Sequence, residues 1–335
     1  MATIKDIAKE TGLGLATISS YLNGGNVREK NRVKIEEAIK KLHYEVNETA
    51  RGLKTNKTMM LGALIPELDS AFSAKILMEI EDTVRAQGYG LMVCDCRSDR
   101  EREKETLEFM KRRRVDGLFY IPVDETGKNL QAAFDMSRPV VLIDRTAHGL
   151  GCGFVGVNNR EALRLAVTHL RDLGHEHIGM IAGPDTIQIA RDRRAGFEEA
   201  CLKCGISDPE KMIYTGDGGI LSGSEGADYL LRHFPEMTAL IASNYQMSLG
   251  AVTMLNEKGI DIPGRLSVIG FDNQEFARAC RPRLTIINQP VAEIGRQAAE
   301  MMLQSLNGQG TYSQVILDAA LCEGGSTASV NFGRI

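Results

Sequence analysis

The pattern of hydrophobic and polar positions changes once along the 335-residue chain, close to residue 58. After that point, short apolar runs alternate with longer stretches of helical periodicity. The apolar runs lie at 60–66, 89–95, 115–121, 139–144, 177–183, 238–243 and 266–272. The helical patterns lie at about 73–87, 99–113, 159–173, 187–204, 220–233 and 246–258. This alternation predicts a parallel α/β architecture with right-handed crossovers, and its length predicts two lobes.

The segment before residue 58 predicts three short helices. Thr3 followed by Asp6 has the pattern of a capping box, so a first helix runs to about Thr11. Glycines at 12 and 14 end it, and a second helix begins near Leu15 and stops at residues 23–25. Two short helices around a glycine-containing turn make a helix-turn-helix. A third helix is predicted from Val27 to Leu42, with its inward positions at Val33, Ile35, Ala38, Ile39 and Leu42.

A polar linker follows these helices. Residues 47–58 carry one large apolar side chain, Leu53, and Asn47 is suited to begin a helix there. The segment is too short to form a stable helix alone.

Charge divides the chain at the same place. The whole chain has 40 Lys and Arg against 44 Asp and Glu, a net charge of −4. Residues 1–58 hold 11 basic against 7 acidic residues, which is +4, and the remainder holds 29 against 37, which is −8. We therefore expect a polyanion-binding head on an acidic body.

Motifs for catalysis and metal binding are missing from the sequence. It contains no phosphate-binding loop, no Gly-x-Ser-x-Gly elbow and no HExxH, so we expect neither an enzyme nor a cofactor. His175 and His177 would share one face on entering a strand, but two more metal ligands are not apparent. Seven scattered cysteines, including Cys201 and Cys204, indicate reduced thiols. With no leader-like or membrane-spanning run, the expected location is the cytoplasm.

Ordered matches along the chain resemble the LacI/GalR family of bacterial transcription regulators. In the head they are TIKDIAKETGLGLATISSYLNG (3–24), VREKNRVKIEEAIKKLHYEVN (27–47) and ARGLKTNKT (50–58). In the body they are RRRVDGLF, PVVLIDR, HLRDLGHEHIGMIAGP, ALIASNYQMSLGAV and LSVIGFDN. The resemblance implies an all-α helix-turn-helix head at 1–46, a hinge at 47–58 and a two-lobed, periplasmic-binding-protein-like α/β body at 59–335. The lobes would be about 59–158 with 289–320, and about 159–288 with 321–335.

For the head, the resemblance implies contacts with double-stranded DNA. Base-facing positions would be Leu15, Ala16 and Ser20. Phosphate-facing positions would be Thr17, Ser19, Asn23, Asn31 and Arg32. Leu53 would enter the minor groove as a wedge that kinks the duplex. Because Leu15 and Ala16 are apolar, we expect readout through thymine methyl groups and DNA shape. The alternatives are that Leu15 is a buried helix residue and that Leu53 packs against the body.

For the body, the resemblance implies a small effector bound between the lobes. The matching positions are Phe72, Asp144, Arg193, Asn244 and Asp272. An arginine fork and carboxylates suit a polyhydroxylated molecule such as a sugar, sugar phosphate or polyol. A salt bridge between Arg193 and Asp272 across the lobes is the alternative. Gly218 and Tyr245 depart from the family pattern at positions near the effector, so a nucleobase or a protein corepressor stays open.

The resemblance also implies a homodimeric repressor. Two-fold symmetry predicts a pseudo-palindromic operator with the paired Leu53 side chains at its centre. A solute-binding protein without a DNA role and an α/β enzyme are the rival classes. The basic head argues against the first, and the missing catalytic motifs argue against the second.

Overall fold

The computed structural model describes residues 2–22, 24–44, 57–147, 150–309 and 313–330. Asn23 and Leu53 lie outside these ranges, so their expected DNA contacts stay predictions. Internal contacts divide the chain into two units, Met1–Met59 and Met60–Ile335. The first unit contains the head, and the second contains the body.

The head consists of three helices, α1 (Ile4–Thr11), α2 (Leu15–Leu22) and α3 (Glu29–Leu42). The Asp6 carboxylate accepts hydrogen bonds from the backbone N–H of Thr3 at 2.8 Å and from its hydroxyl at 2.7 Å. These bonds fix the start of α1. Gly12 ends α1 with φ at +68°, a left-handed conformation that glycine adopts without strain.

Four fully buried side chains form the centre of the head: Ile7, Ile18, Ile35 and Ala38. One predicted inward position is wrong, because Val33 is 46% exposed. Val33 lies two residues before Ile35, and a step of two residues turns about 200° around a helix, onto the opposite face. The third helix also starts at Glu29 rather than Val27, since Arg28 still has extended backbone angles.

Twelve strands build two six-stranded sheets in the described body. They are β1 (Met60–Ile65), β2 (Gly90–Asp95), β3 (Gly117–Tyr120), β4 (Val140–Ile143), β5 (Gly153–Val157), β6 (Ile178–Ala182), β7 (Ile213–Thr215), β8 (Ala239–Ala242), β9 (Ser267–Phe271), β10 (Thr285–Asn288), β11 (Gln314–Leu317) and β12 (Ala320–Cys322). The first sheet has the order β11-β5-β4-β3-β1-β2, and the second has β12-β10-β9-β8-β6-β7. Neighbouring strands run parallel except β12, which is antiparallel to β10. We call the halves built on these sheets lobe one and lobe two.

Nine helices connect the strands within the described body. They are α4 (Ala71–Arg85), α5 (Arg100–Arg113), α6 (Lys128–Ala133), α7 (Asn159–Asp172), α8 (Gln188–Lys203), α9 (Ile220–His233), α10 (Tyr245–Glu257), α11 (Gln274–Ala279) and α12 (Val291–Leu306). Side-chain caps begin several of them. Ser70 accepts from Ser73 N–H at 3.3 Å, and Asp99 accepts from Arg102 N–H at 2.8 Å.

The central strands are buried on both faces, as parallel strands covered by helices must be. Strands β3, β4, β6, β8 and β9 are buried at every residue. Glycine permits one close approach between helices: a Cβ on Gly196 of α8 would lie 2.5 Å from the Arg160 carbonyl oxygen of α7. Because Gly196 has no side chain, α8 can lie against the backbone of α7.

Candidate effector cleft and DNA-binding head

A cavity of about 880 Å³ opens at the carboxyl ends of strands from both sheets. Its lining comes from the segments that follow β1, β4, β6, β8, β9 and β10. Ligands of α/β proteins gather at such strand ends. All five expected effector residues line this cavity: Phe72, Asp144, Arg193, Asn244 and Asp272.

Arg193 on α8 is the central cation of the cleft. It is 4% exposed. Its Nε donates to Asn159 Oδ1 at 2.7 Å, and its Nη1 donates to the Ser243 carbonyl at 2.7 Å. The guanidinium lies over the Phe271 ring, 4.0 Å from the ring centroid. These contacts fix the orientation of the fork before any ligand arrives.

Two buried carboxyls flank this cation. Burial raises the pKa of Asp144 and of Asp272, while the Arg193 charge opposes the rise at both. Asp272 accepts from the backbone N–H of Gln289 at 3.1 Å and from its Nε2 at 2.8 Å. Both aspartates have left-handed backbones, with φ of +63° at Asp144 and +56° at Asp272. Such conformations in non-glycine residues are uncommon and concentrate at functional sites.

The expected alternative of an interlobe Arg193–Asp272 salt bridge is wrong on geometry. Asp272 follows β9 and Arg193 lies on α8, and both elements belong to lobe two. The printed hydrogen bonds of Arg193 go to Asn159 and Ser243. A contact between Arg193 and Asp272 would therefore not join the lobes.

Asn244 lines the cleft with its amide already bonded within the protein. Its Oδ1 accepts from Met247 N–H at 2.7 Å and caps α10, and its Nδ2 donates to the Gly218 carbonyl at 2.9 Å. Gly218, with φ at +94°, leaves this side of the cleft without a side chain. Tyr245, the residue after Asn244, also lines the cleft, and its ring is in edge contact with the Phe276 ring at 5.7 Å between centroids.

Two polar groups of the cleft were not among the predicted site residues. Arg145 Nε and Gln289 Oε1 are buried and have no hydrogen-bond partner among the described residues. Buried polar atoms without partners are rare, and these two line the cavity, so they are available to hydrogen-bond a ligand there. Arg145 directly follows Asp144 in the sequence and could have been found there. Gln289 follows β10, a strand that the apolar runs did not include.

The described positions of the head that the sequence predicts to contact DNA are exposed or half-buried. Leu15 is 47% exposed, which excludes its alternative interpretation as a buried helix residue. Ala16 is exposed, and Thr17, Ser19, Ser20 and Asn31 are half-buried. The Arg32 side chain is 57% exposed and is oriented by Glu36, 3.0 Å away. Tyr21 donates its hydroxyl to the same Glu36 at 2.9 Å.

The histidines and cysteines that the sequence singled out do not form a metal site in the described structure. His175 is buried between the Thr238 hydroxyl at 2.9 Å and the Ala328 carbonyl at 3.0 Å, whereas His177 is exposed, so the expectation of a shared face is wrong. Cys201 is buried and Cys204 is half-buried, both as free thiols. Within the described ranges, no three His, Cys, Asp or Glu side chains are placed to hold a metal ion. None of the helices described there is long and apolar enough to cross a membrane.

Comparisons with known proteins agree with this division of the chain. A family model described as "Bacterial regulatory proteins, lacI family" matches residues 3–47, and one described as "Periplasmic binding protein-like domain" matches residues 167–327. The chain is 31% identical to the HTH-type transcriptional repressor PurR of Actinobacillus pleuropneumoniae serotype 5b (strain L20), over 94% of each chain. It is also 31% identical to the HTH-type transcriptional repressor CytR of Escherichia coli (strain K12), over 98% of this chain and 97% of that protein.

Among solved structures, the lac repressor dimer bound to operator and the anti-inducer ONPF superposes with a TM-score of 0.87. The two chains are 27% identical, and the match covers 98% of this chain and 99% of the other. A helix-turn-helix head and a periplasmic-binding-protein-like body with a cleft define the class of bacterial transcription regulators with a ligand-binding domain. The chain belongs to the LacI family. It is a DNA-binding transcriptional repressor and not an enzyme.

Proposed function

We propose that this repressor binds operator DNA as a homodimer in the cytoplasm and that a small polyhydroxylated effector in the cleft changes its operator affinity. The observation that carries the proposal is the cavity at the strand ends, with its prearranged Arg193 fork between two buried carboxyls. A ligand with different affinity for two arrangements of the lobes shifts the balance between them, and operator affinity follows.

For DNA, the proposal assigns Leu15, Ala16 and Ser20 to base edges. The exposed apolar groups at the start of α2 suit the methyl groups of thymine. Phosphate contacts are assigned to Thr17, Ser19, Asn23, Asn31 and Arg32. The exposed, Glu36-oriented guanidinium of Arg32 supports that assignment. Leu53 is assigned the minor-groove wedge on the strength of the family resemblance.

For the effector, the charges of the cleft favour a molecule without negative charge. The acidic side chains of the lining are Glu67, Asp69, Asp144, Asp217, Asp272 and Glu293, and the basic ones are Lys75, Arg145 and Arg193. Six acidic against three basic side chains leave the lining net negative, and one net like charge about 6 Å away opposes an added anion by roughly 3 kcal/mol at an effective dielectric constant of about 20. We therefore favour an unphosphorylated sugar or polyol over a sugar phosphate. Hydroxyl groups of such a ligand can donate to Gln289 Oε1 and accept from Arg145 Nε, the two buried atoms without partners.

For the dimer, exposed apolar side chains supply a surface. Leu68 and Met78 are exposed in lobe one, and Ile220, Leu221 and Tyr229 on α9 are exposed in lobe two. A second copy of this chain is the proposed partner, because the similar lac repressor was solved as a dimer on its operator. Two-fold symmetry then requires a pseudo-palindromic operator.

The ligand assignment is tested by a thermal-shift screen of sugars, polyols, sugar phosphates and nucleobases against the full chain. A ligand at one hundred times its Kd stabilises by about 2.7 kcal/mol. The hit is then titrated calorimetrically against Arg193→Ala and Arg193→Lys. We expect at least a tenfold loss of affinity in both, since lysine cannot replace a planar fork.

Arg194→Ala is the matched control for these variants. Arg194 follows Arg193 on α8, but its Nε binds Glu198 on the same helix, 2.9 Å away, and it does not line the cavity. Its affinity for the hit should equal that of the wild type. Unchanged affinity in Arg193→Ala would overturn the assignment, and a nucleobase or sugar phosphate as the tightest ligand would overturn the proposed effector class.

A further inference from the structure

The loop between β3 and α6 crosses from lobe one to the first turn of α8 in lobe two. On this loop, Glu125 Oε1 accepts a hydrogen bond from the backbone N–H of Gln188 at 2.5 Å. Its Oε2 lies 3.0 Å from Nη2 of Arg191. One carboxylate therefore joins the lobes at two points. The Glu125 side chain is 12% exposed and the Arg191 side chain 43%, so water screens the carboxylate, and above all its bond to Gln188 N–H, less than it screens a surface ion pair.

The start of α8 lacks a cap from its own sequence. The N-cap residue is Ile187, whose side chain has no acceptor, and no side-chain cap hydrogen bond forms there. The first N–H groups of a helix have no partner within the helix, and they carry the positive end of its dipole. A carboxylate suits this position best, because it accepts hydrogen bonds from these N–H groups and its negative charge is attracted to the positive end of the dipole. Glu125 thus supplies from lobe one the cap that α8 in lobe two needs.

The loop that carries Glu125 is itself held firmly. Glu103 of α5 is fully buried. Its carboxylate accepts from the backbone N–H of Val123 at 2.6 Å and of Asp124 at 3.1 Å. It also accepts from Asn129 Nδ2 at 2.9 Å. Because these bonds lie on either side of Glu125, the cap is presented from a fixed position.

Gln289 lies where the chain crosses between the sheets, and its hydrogen bonds to Asp272 join residues of that crossover. The remaining hydrogen bonds between the lobes, in the described part of the chain, are more exposed than the Glu125 contacts or secondary to them. Lys75 of α4 pairs with Glu275 of α11 at 2.7 Å, but their side chains are 41% and 70% exposed. Exposed pairs contribute little. The Thr146 hydroxyl donates to Gln188 Oε1, at the same residue that Glu125 caps.

We propose that Glu125 is the positioning residue of the cleft. By capping α8 from the opposite lobe, it sets where Arg193, five residues further along that helix, lies relative to lobe one. Loss of the carboxylate releases the first turn of α8 from lobe one and widens the cleft, even without ligand. This role goes beyond the proposed effector response, because it concerns how the ligand-free lobes are held together.

The test uses ligand-free full-length protein and two variants. In Glu125→Ala, backbone amide hydrogen exchange of residues 188–191 should accelerate by about fivefold, the loss expected for one helix cap. Small-angle X-ray scattering should show a larger radius of gyration. In Glu125→Gln, an amide oxygen still accepts from Gln188 N–H but no longer attracts Arg191, so both changes should be smaller. Glu125→Gln also keeps the test decisive if the alanine variant does not fold.

Glu198→Ala is the matched control, because Glu198 pairs with Arg194 within α8 and joins no lobes. It should leave local exchange at 188–191 and the radius of gyration at wild-type values. The proposal is overturned if the Glu125 variants keep wild-type exchange and scattering. It is equally overturned if exchange accelerates throughout the body together with a fall in Tm, since that pattern describes general destabilisation. Neither readout involves the effector, so failure here is separate from failure of the proposed function.

Discussion

At the scale of residues, the cleft contains buried carboxyl groups that can bind a ligand but that lower the stability of the ligand-free fold. Asp144 and Asp272 are buried carboxyls with raised pKa values. Keeping such a carboxylate ionised at neutral pH costs stability. Binding sites commonly contain groups that destabilise the ligand-free protein, because such a carboxylate gains hydrogen bonds when the ligand binds.

Asp144→Asn should therefore stabilise the ligand-free body at pH 7. A single stabilising substitution typically contributes roughly 0.5–2 kcal/mol, so we expect a rise of a few °C in Tm. Burial raises the pKa of Asp144 in the folded protein, so the wild type recovers stability as the pH falls through that raised pKa, and the advantage of the variant shrinks. Scanning calorimetry at pH 7.5 and pH 5 measures both effects. Asparagine also tolerates the left-handed backbone at this position.

Asp217→Asn is the matched control for this prediction. Asp217 also lines the cleft, but the backbone N–H of Gly219 holds the pKa of its carboxyl below the ordinary value. Its substitution should leave stability at pH 7 unchanged or lowered. A destabilised Asp144→Asn protein at pH 7, or a gain that does not vary with pH, would contradict the account.

At the scale of elements, helical periodicity predicts the long helices closely, whereas the apolar runs do not include several of the strands. Long amphipathic stretches such as α7 and α9 present a clear apolar face, and their predicted bounds agree within a residue with the observed ones. Strand β5 reads Gly-Phe-Val-Gly-Val, so glycines interrupt its apolar run. Strands β7 and β12 have three residues each, too few for a pattern. Short or glycine-rich strands are defined by the neighbours with which they pair.

Whether the sequence predicts a cleft residue depends on whether the strand before it is visible as an apolar run. Phe72, Asp144, Asn244 and Asp272 follow strands that the apolar runs revealed, so topology alone places them at one edge. Gln289 follows a strand that was missed. The cap that Glu125 gives to α8 joins positions 63 residues apart in the chain, and no local pattern reports such a contact.

Ile18→Ala tests whether the head is a separate folding element. Ile18 is one of four fully buried side chains at the centre of the head, and its truncation should cost about 2–4 kcal/mol. A domain of this size has little stability to spare. Calorimetry should show the head transition lowered or lost and the body transition unchanged, while ligand binding in the cleft persists and DNA binding fails.

Val33→Ala is the control, because Val33 is an exposed residue of α3 and alanine has the higher helix propensity. It should leave both transitions in place. A fall of the body transition in Ile18→Ala would mean that the two units do not fold separately.

At the scale of the whole molecule, the two ends of the charge distribution correspond to two partners, DNA for the head and a small molecule for the body. Residues 1–58 carry a net charge of +4 and the rest of the chain −8, so the overall −4 conceals the positively charged segment that contains the DNA-binding head. An acidic body also limits non-specific attraction to DNA. If the cleft ligand regulates this repressor, ligand in the body changes the binding of DNA by the head, and this coupling is reciprocal.

The measurement that tests this claim most directly is the operator Kd with and without the cleft ligand. Operator DNA is obtained by in vitro selection with the full chain, and its Kd is measured by fluorescence anisotropy at one fixed salt concentration. We predict that saturating ligand changes the operator Kd of the wild type by about tenfold or more, a coupling of about 1.4 kcal/mol. The same ligand concentration should leave Arg193→Ala unchanged. A wild-type operator Kd that stays the same when calorimetry shows the cleft to be occupied would contradict the account.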